Sequence, residues 1–389
     1  MASRALATTG AQTRGPASRL HALPHTQTAP GRPPHAGGRA AAGREAVQST
    51  LRPGHRLGTP LPSRVAVVRA LPGLGDMLCL VPALRALRAA LPDAYVTLVG
   101  LESGRLLLER FPRYLDDLLV LPGGLDEFAS GRQDVPAFLA EAAQRSFDLA
   151  LQLHGSGSIS NGLTLLLGAR MRAGTYPAGG FCPDPARFVT LTETLPEVRR
   201  LLRVLDVLGI PAKGDDLEFP VTDVDRFELA SIPRARRLQP GRYVVVHPGS
   251  SAADRRWPAR HFAIMVNLLG ALRLPVVLTG TADEIPVVHE VAEATRTETI
   301  DLAGQTSVGA LASLVENARL VLCNDTGISH LTAALRVPSV VVFTGSELER
   351  WAPIDDELHV AVRPSPGLDG VEDVLSATLS LLGGERRAA

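Results

Sequence analysis

The sequence predicts an α/β protein of two Rossmann-like, doubly wound parallel-sheet domains that face each other across a cleft. Short apolar runs alternate with helical patterns from Ser63 onward, the rhythm of strand–helix–strand units on a parallel sheet. That rhythm restarts at Tyr243, after a stretch with charges and four prolines between Pro211 and Pro240. At 389 residues the chain is too long for one average domain and fits two.

The chain opens differently. Between Met1 and Pro60 a single acid, Glu45, stands against eight arginines and no lysine. Apolar residues there follow neither helical nor strand spacing, so residues 1–62 are expected to be a disordered basic arm, unable to offset their ordering entropy by burial. An Arg-rich, acid-poor start also has the look of an organelle transit peptide, although no amphipathic helix is visible. The first domain is expected over 63–190, an interdomain linker region over 191–240, and the second domain over 241–389.

In the first domain Val65–Ala70 reads as a buried strand. The Gly-rich turn Leu71–Asp76 leads into a helix with Leu80, Leu84, Leu87 and Leu91 on one stripe. Strands follow at Tyr95–Gly100, Leu118–Leu121 and Leu149–His154, with helices at Leu106–Phe111, Val135–Arg145 and Ile159–Leu167. The Gly- and Pro-containing stretch Tyr176–Val189 reads as loop, and Leu195–Leu208 as a helix. In the second domain the expected strands are Tyr243–His247, Val276–Gly280, Leu320–Cys323 and Val340–Phe343. Helices are expected at Phe262–Leu272, Asp283–Ala294, Val308–Asn317, Ile328–Leu335 and Val371–Leu382. Ligands of such sheets bind at the carboxyl ends of the strands.

Composition narrows the function. The chain is 45% apolar and 21% charged, ordinary for a globular protein. Forty basic residues balance 40 acidic ones, so no nucleic-acid partner is expected. Cys79, Cys182 and Cys323 lie far apart without metal spacing, which suits a reduced cytoplasmic setting and no metal site. No run reaches about eighteen apolar residues, so no membrane span is expected.

Three strand-end loops carry the candidate chemistry. In Leu71-Pro-Gly-Leu-Gly-Asp76, Gly73 and Gly75 permit close backbone approach, while Asp76 puts negative charge where a pyrophosphate would otherwise sit. Asp76 is therefore a candidate general base, or simply a helix cap. In His247-Pro-Gly-Ser-Ser251 and the following Arg255-Arg256-Trp-Pro, Ser250 and Ser251 offer hydroxyls, and an arginine can reach phosphate oxygens. In Asn324-Asp-Thr-Gly-Ile-Ser-His330, Asp325, Thr326 and Gly327 would open a helix whose free N–H groups suit an anion, with His330 one turn on. The Asp-Thr-Gly of aspartic proteases is set aside, because those enzymes need two copies on β-rich lobes. Glu284, after Thr279-Gly-Thr-Ala-Asp, can accept from ribose hydroxyls or stand as an exposed first-turn acid.

Together these motifs resemble glycosyltransferase family 9, the heptosyltransferases of lipopolysaccharide assembly. The likeness runs from Val65 to about Leu382. It rests on Gly75-Asp76 with Val81-Pro-Ala-Leu-Arg-Ala-Leu, on His247-Pro-Gly-Ser with Arg255-Arg-Trp-Pro258, and on Asp325-Thr-Gly-Ile-Ser-His330-Leu-Thr-Ala-Ala. The resemblance implies the GT-B fold and a metal-independent, inverting transfer with no cofactor. A nucleoside-diphosphate sugar, of which ADP-heptose is the family's best known, would be the donor, and a glycan or glycolipid hydroxyl the acceptor. It implies Asp76 as base, with Gly73 and Gly75 on the acceptor-side loop. Ser250, Ser251, Arg255, Glu284, Asp325, Thr326, Gly327 and His330 would hold the donor. Thr306 falls where the family often contacts the nucleotide base through an apolar residue, and Arg255 stands where it usually has lysine. A monomer is expected, cytoplasmic, with the basic arm able to touch the acidic inner face of the plasma membrane. The alternative is a non-catalytic sugar-nucleotide-binding protein of the same fold. A nicotinamide-dependent oxidoreductase is disfavoured by the absence of Gly-x-Gly-x-x-Gly.

Overall fold

The computed structural model describes residues 50–130, 134–191 and 194–384. Up to residue 49 the expected basic arm lies outside the described residues.

The first half runs β1 (Arg64–Val68), α1 (Leu74–Ala90), β2 (Tyr95–Gly100), α2 (Arg105–Arg110), β3 (Asp117–Val120), α3 (Gly124–Ala129), α4 (Val135–Gln144), β4 (Leu149–Gln152), α5 (Ser160–Leu166), β5 (Met171–Tyr176) and β6 (Phe188–Thr190). Next come α6 (Glu197–Val207) and α7 (Asp223–Ser231). The second half runs β7 (Val244–His247), α8 (Ala259–Ala271), β8 (Val276–Leu278), α9 (Ile285–Ala294), β9 (Thr299–Asp301), α10 (Val308–Glu316) and β10 (Leu320–Asn324). It closes with α11 (Gly327–Ala334), β11 (Ser339–Val342), α12 (Leu348–Trp351), β12 (His359–Val362) and α13 (Asp369–Gly384).

Each half is built on a six-stranded parallel sheet, ordered β3-β2-β1-β4-β5-β6 and β12-β11-β10-β7-β8-β9. The two orders are the same winding traced twice, each reversing direction beside its first strand. Buried strands that alternate between two covered faces explain why β1 is apolar after Arg64 and β7 is apolar up to His247. Val65 and Val67 enter one core cluster, while Ala66 and Val68 enter the opposite one. Val244 and Val246 likewise separate from Val245. The α1 stripe of Leu80, Leu84, Leu87 and the following Leu91 is buried against the first of these clusters. Ala312 of α10 and Leu331 of α11 belong to that same cluster, so an apolar seam joins the halves.

The structure departs from the sequence reading where polar or small residues hide a strand. The stretch expected as loop between Tyr176 and Val189 is bounded by β5, whose Arg172 and Gly174 interrupt the apolar run, and by the three-residue β6. The short α3, β9 and β12 were also not expected. The region 191–240 carries two helices, and α7 starts on a full capping box in which Thr222 and Asp225 exchange hydrogen bonds. Residues 50–62 are not a free arm. The N–H groups of Arg52 and Arg56 donate to the carbonyls of Gly209 and Leu208, and Leu57 is fully buried in the first core. A lone leucine in a Pro- and Gly-rich context has no periodicity to announce it. Among the described residues no helix is long and apolar enough to cross a membrane.

The halves also meet through charge. Arg110 of α2 forks onto Asp225 of α7, with Nη1–Oδ2 at 2.5 Å and Nη2–Oδ1 at 2.6 Å, and α7 packs on α10. The Arg110 guanidinium, despite the cost of burial, holds the Asp225 carboxyl down at about 2, below its ordinary 3.8. A carboxyl depressed on folding adds stability that is complete above its unfolded value and disappears as pH falls through the folded one. Asp225→Asn should lower stability by about 1–3 kcal/mol at neutral pH. In thermal melts the gap from wild type should narrow from about pH 4 and close near pH 2.

Candidate active site

The strand ends at the two reversal points place the candidate loops. Asp76 follows β1, and His154 ends the run after its neighbour β4. Ser250 follows β7, and Asp325 follows its neighbour β10. The first turn of α11 then packs on the first turn of α1. A side chain at Gly75 would collide with the His330 ring, and a Cβ at Gly327 would lie 3.0 Å from that of Leu74. Only glycine allows this approach.

Asp76 is the third residue of α1 and is partly buried. Gly73 is the N-cap, so the capping role open to Asp76 in the sequence is not the one it takes. Its carboxylate instead folds back over Gly73, where a Cβ would lie 2.6 Å from Oδ2. Burial raises the Asp76 carboxyl above 3.8, with Arg69, His330 and Arg350 opposing and Glu197 adding to the rise. Arg69, immediately after β1, is itself buried. Its Nε donates to the Asp76 carbonyl at 2.8 Å and its Nη1 to the Leu153 carbonyl at 2.7 Å and Glu197 Oε1 at 3.1 Å. Its Nη2 stands 3.5 Å from Asp76 Oδ1. Beside it, His154 Nδ1 accepts the Ala70 N–H at 3.0 Å, so the proton of the neutral ring sits on Nε2. Burial and the charge of Arg69 push His154 down to about 4. At neutral pH this ring offers a donor, and Asp76 is left as the base-capable group of the loop.

On the opposite loop Asn324 is fully buried and acts as a fastener. Its Oδ1 accepts the Trp257 N–H at 2.9 Å, while its Nδ2 donates to the carbonyls of Pro248 at 2.8 Å and Gly249 at 3.3 Å. Ser250 is buried, and its carbonyl accepts Arg256 Nε at 2.8 Å. Arg256 is thus occupied by its own loop. Arg255 is half-buried and, among the described residues, its guanidinium has no hydrogen-bond or ion-pair partner. Ser251 is exposed, and Thr306 is half-buried just before α10. Glu284 is buried rather than exposed. Its Oε2 accepts the Thr281 N–H at 2.8 Å in a capping box and lies 3.4 Å from His247 Nε2, with the carboxylate over Gly249. Burial raises this carboxyl, but His247 and Thr281 outweigh it and bring it to about 2.

Asp325 is buried, its N–H bound to the Val342 carbonyl at 3.0 Å. Thr326 is the extended N-cap of α11, and Gly327 its first residue. His330, one turn on, is buried. It packs edge-on against Trp351 with centroids 6.0 Å apart, its Nδ1 3.7 Å from Cys79 of α1. Burial lowers it, with Asp325 and Asp76 opposing. The Cys79 and Cys323 thiols are pushed up by burial and so are not nucleophiles. Among the described residues no group of three His, Cys, Asp or Glu side chains is placed to hold a metal ion.

The arrangement sets a carboxylate of raised basicity beside a helix N-terminus, and the loop after β7 adds an unpartnered cation. Arg69, His154, Glu197 and Arg350 were not singled out in the sequence. A charged residue closing an apolar strand run was the available signal for Arg69, and a histidine at a strand's carboxyl end for His154. Nothing local marks Glu197 or Arg350.

The family model of glycosyltransferase family 9 (heptosyltransferase) matches residues 138–366. Lipopolysaccharide heptosyltransferase 3 of Escherichia coli is 23% identical over 290 residues, 72% of this chain and 83% of that protein. A shorter match, 29% over 110 residues, spans 27% of this chain and only 32% of lipooligosaccharide heptosyltransferase 2 of Haemophilus influenzae. The solved structure of E. coli ADP-heptose lps heptosyltransferase II superposes with a TM-score of 0.63 at 21% identity, covering 83% of this chain and 99% of that one. With two parallel sheets in the GT-B arrangement and more than half of its length matched by the family model, the chain belongs to glycosyltransferase family 9.

Proposed function

We propose that this glycosyltransferase moves a heptose or related sugar from a nucleoside-diphosphate sugar to a hydroxyl of a lipopolysaccharide-type glycan or glycolipid. The observation that carries the reading is the packing of the Asp76 turn on the Thr326–Gly327 turn across Gly75 and Gly327. It brings a proton acceptor and an anion-binding helix end to one place. ADP-heptose, named for the E. coli relative, is the first donor to test.

In this reading Asp76 takes the proton of an acceptor hydroxyl while that oxygen attacks the anomeric carbon. The bond from that carbon to the diphosphate oxygen breaks, and the nucleoside diphosphate leaves with the electron pair. Arg255 and the N–H groups at Thr326 and Gly327 meet the negative charge that grows on the leaving group. Ser250 and Ser251 lie on the same loop as Arg255, Glu284 holds its shape over Gly249, and Thr306 would border the nucleotide base. His154, with its proton on Nε2, donates to the acceptor side.

Asp76→Ala should cut turnover by about a hundredfold or more while leaving donor affinity within about threefold. Turnover equal to wild type would remove Asp76 from the chemistry. Because the base must be ionised and its carboxyl is raised, kcat/KM should fall as pH drops through a value above 3.8; a midpoint at or below 3.8 would contradict this environment. Arg255→Ala should weaken ADP-heptose or ADP binding by about tenfold in calorimetry, and unchanged affinity would end its phosphate role.

A further inference from the structure

We infer that Glu197 is a positioning residue that ties the seating of the catalytic base to the meeting of the two halves. This rests on Asp76 being the base. Glu197, in the first turn of α6, is buried and presents one oxygen to each side. Oε1 takes Arg69 Nη1 at 3.1 Å, the guanidinium that also holds the Asp76 carbonyl and stands under its carboxylate. Oε2 takes Arg350 Nε at 2.9 Å, from α12 of the opposite half, and lies 3.4 Å from Arg200 of its own helix. The run Asp76–Arg69–Glu197–Arg350 is therefore a continuous polar line from one half to the other.

The physical logic lies in charge sharing. Without Arg350, the first half balances two carboxylates, Asp76 and Glu197, with two arginines, Arg69 and Arg200, and Arg69 is drawn to Glu197 as its nearest anion. When Arg350 arrives, Glu197 divides its charge among three cations. Arg69 is then less tightly claimed and turns its Nη2 face to Asp76. Arg350 is itself stacked on Trp351, its guanidinium 4.5 Å from the ring centroid, and that ring meets His330. A cavity of about 240 Å³, lined in part by Pro196, Glu197, Arg350, Trp351 and Ile354, lies beside the pair. The second bridge between the halves, Arg110 to Asp225, touches none of these groups.

The test follows the Asp76 carboxyl itself, so it does not depend on knowing the donor. The groups facing Asp76 are Arg69 after β1, Cys79 along α1, Glu197 on α6, His330 on α11 and Arg350 on α12. With 13C-carboxyl-labelled aspartate and assignment by Asp76→Asn, the Asp76 titration is read in wild type, Arg350→Ala, Arg350→Lys and Arg110→Ala, each checked by thermal melt. Arg350→Ala should raise the midpoint by about half a pH unit or more and speed hydrogen exchange at Arg69 Nε. Arg350→Lys should restore most of both, and Arg110→Ala should change neither. If Arg350→Ala leaves midpoint and exchange unchanged, or Arg110→Ala moves them equally, Arg350 is a strap only and the inference fails. Failure of the base assignment reads out separately, as wild-type turnover in Asp76→Ala.

Discussion

The site is organised by the approach of two helix N-termini, α1 and α11, with Gly75 and Gly327 at the crossing. Two positive helix ends brought together repel each other. Asp76 in the first turn of α1 and Asp325 just ahead of the Thr326 cap supply the compensating negative charge. The apolar seam through Leu331 and Ala312 then holds the crossing shut against that repulsion. Both carboxylates are thus part of what lets the halves touch, as well as part of what they do.

Beneath the crossing lies a group of charges that a packed core would normally avoid. Arg69 and Glu197 are each almost wholly removed from water, at 4% and 2% exposure. A buried ion pair is poor value as a source of stability, because desolvation offsets its attraction. Its use here is geometric. The arginine holds the Asp76 and Leu153 carbonyls and both the Glu197 and Asp76 carboxylates in fixed directions, so the loop that carries Asp76 has one arrangement rather than several. The same economy shows on the other half, where Arg256 secures the loop and leaves its neighbour Arg255 unengaged.

What was legible in the sequence follows from what local chemistry can announce. The central strands β1, β4, β7 and β10 are apolar on both faces and sit beside glycine-bearing turns, so their positions along the chain and their functional ends could be read directly. The Asp-Thr-Gly turn and the Gly-Asp turn were visible because helix starts have their own residue preferences. Two edge strands, β6 and β9, were not legible: each has three residues, too few to show alternation, and neither is wholly apolar as the three-residue β8 is. Nor was the direction of His330 visible, because helical spacing places a side chain on a face without saying which neighbour that face meets. Glu197 and Arg350 are 153 positions apart, and neither one's role exists until both sheets are built.

The Asn324 amide illustrates how narrow such a position is. It must accept from one end of the loop after β7 and donate to the other end at once, from a fully buried position. A carboxylate of the same shape could satisfy the first demand and would face two carbonyl oxygens with none of the protons they require; a leucine would satisfy neither. The loop of Ser250 and the strand before Asp325 are therefore welded through one side chain, and the two cannot drift apart in evolution or in thermal motion without both being redrawn.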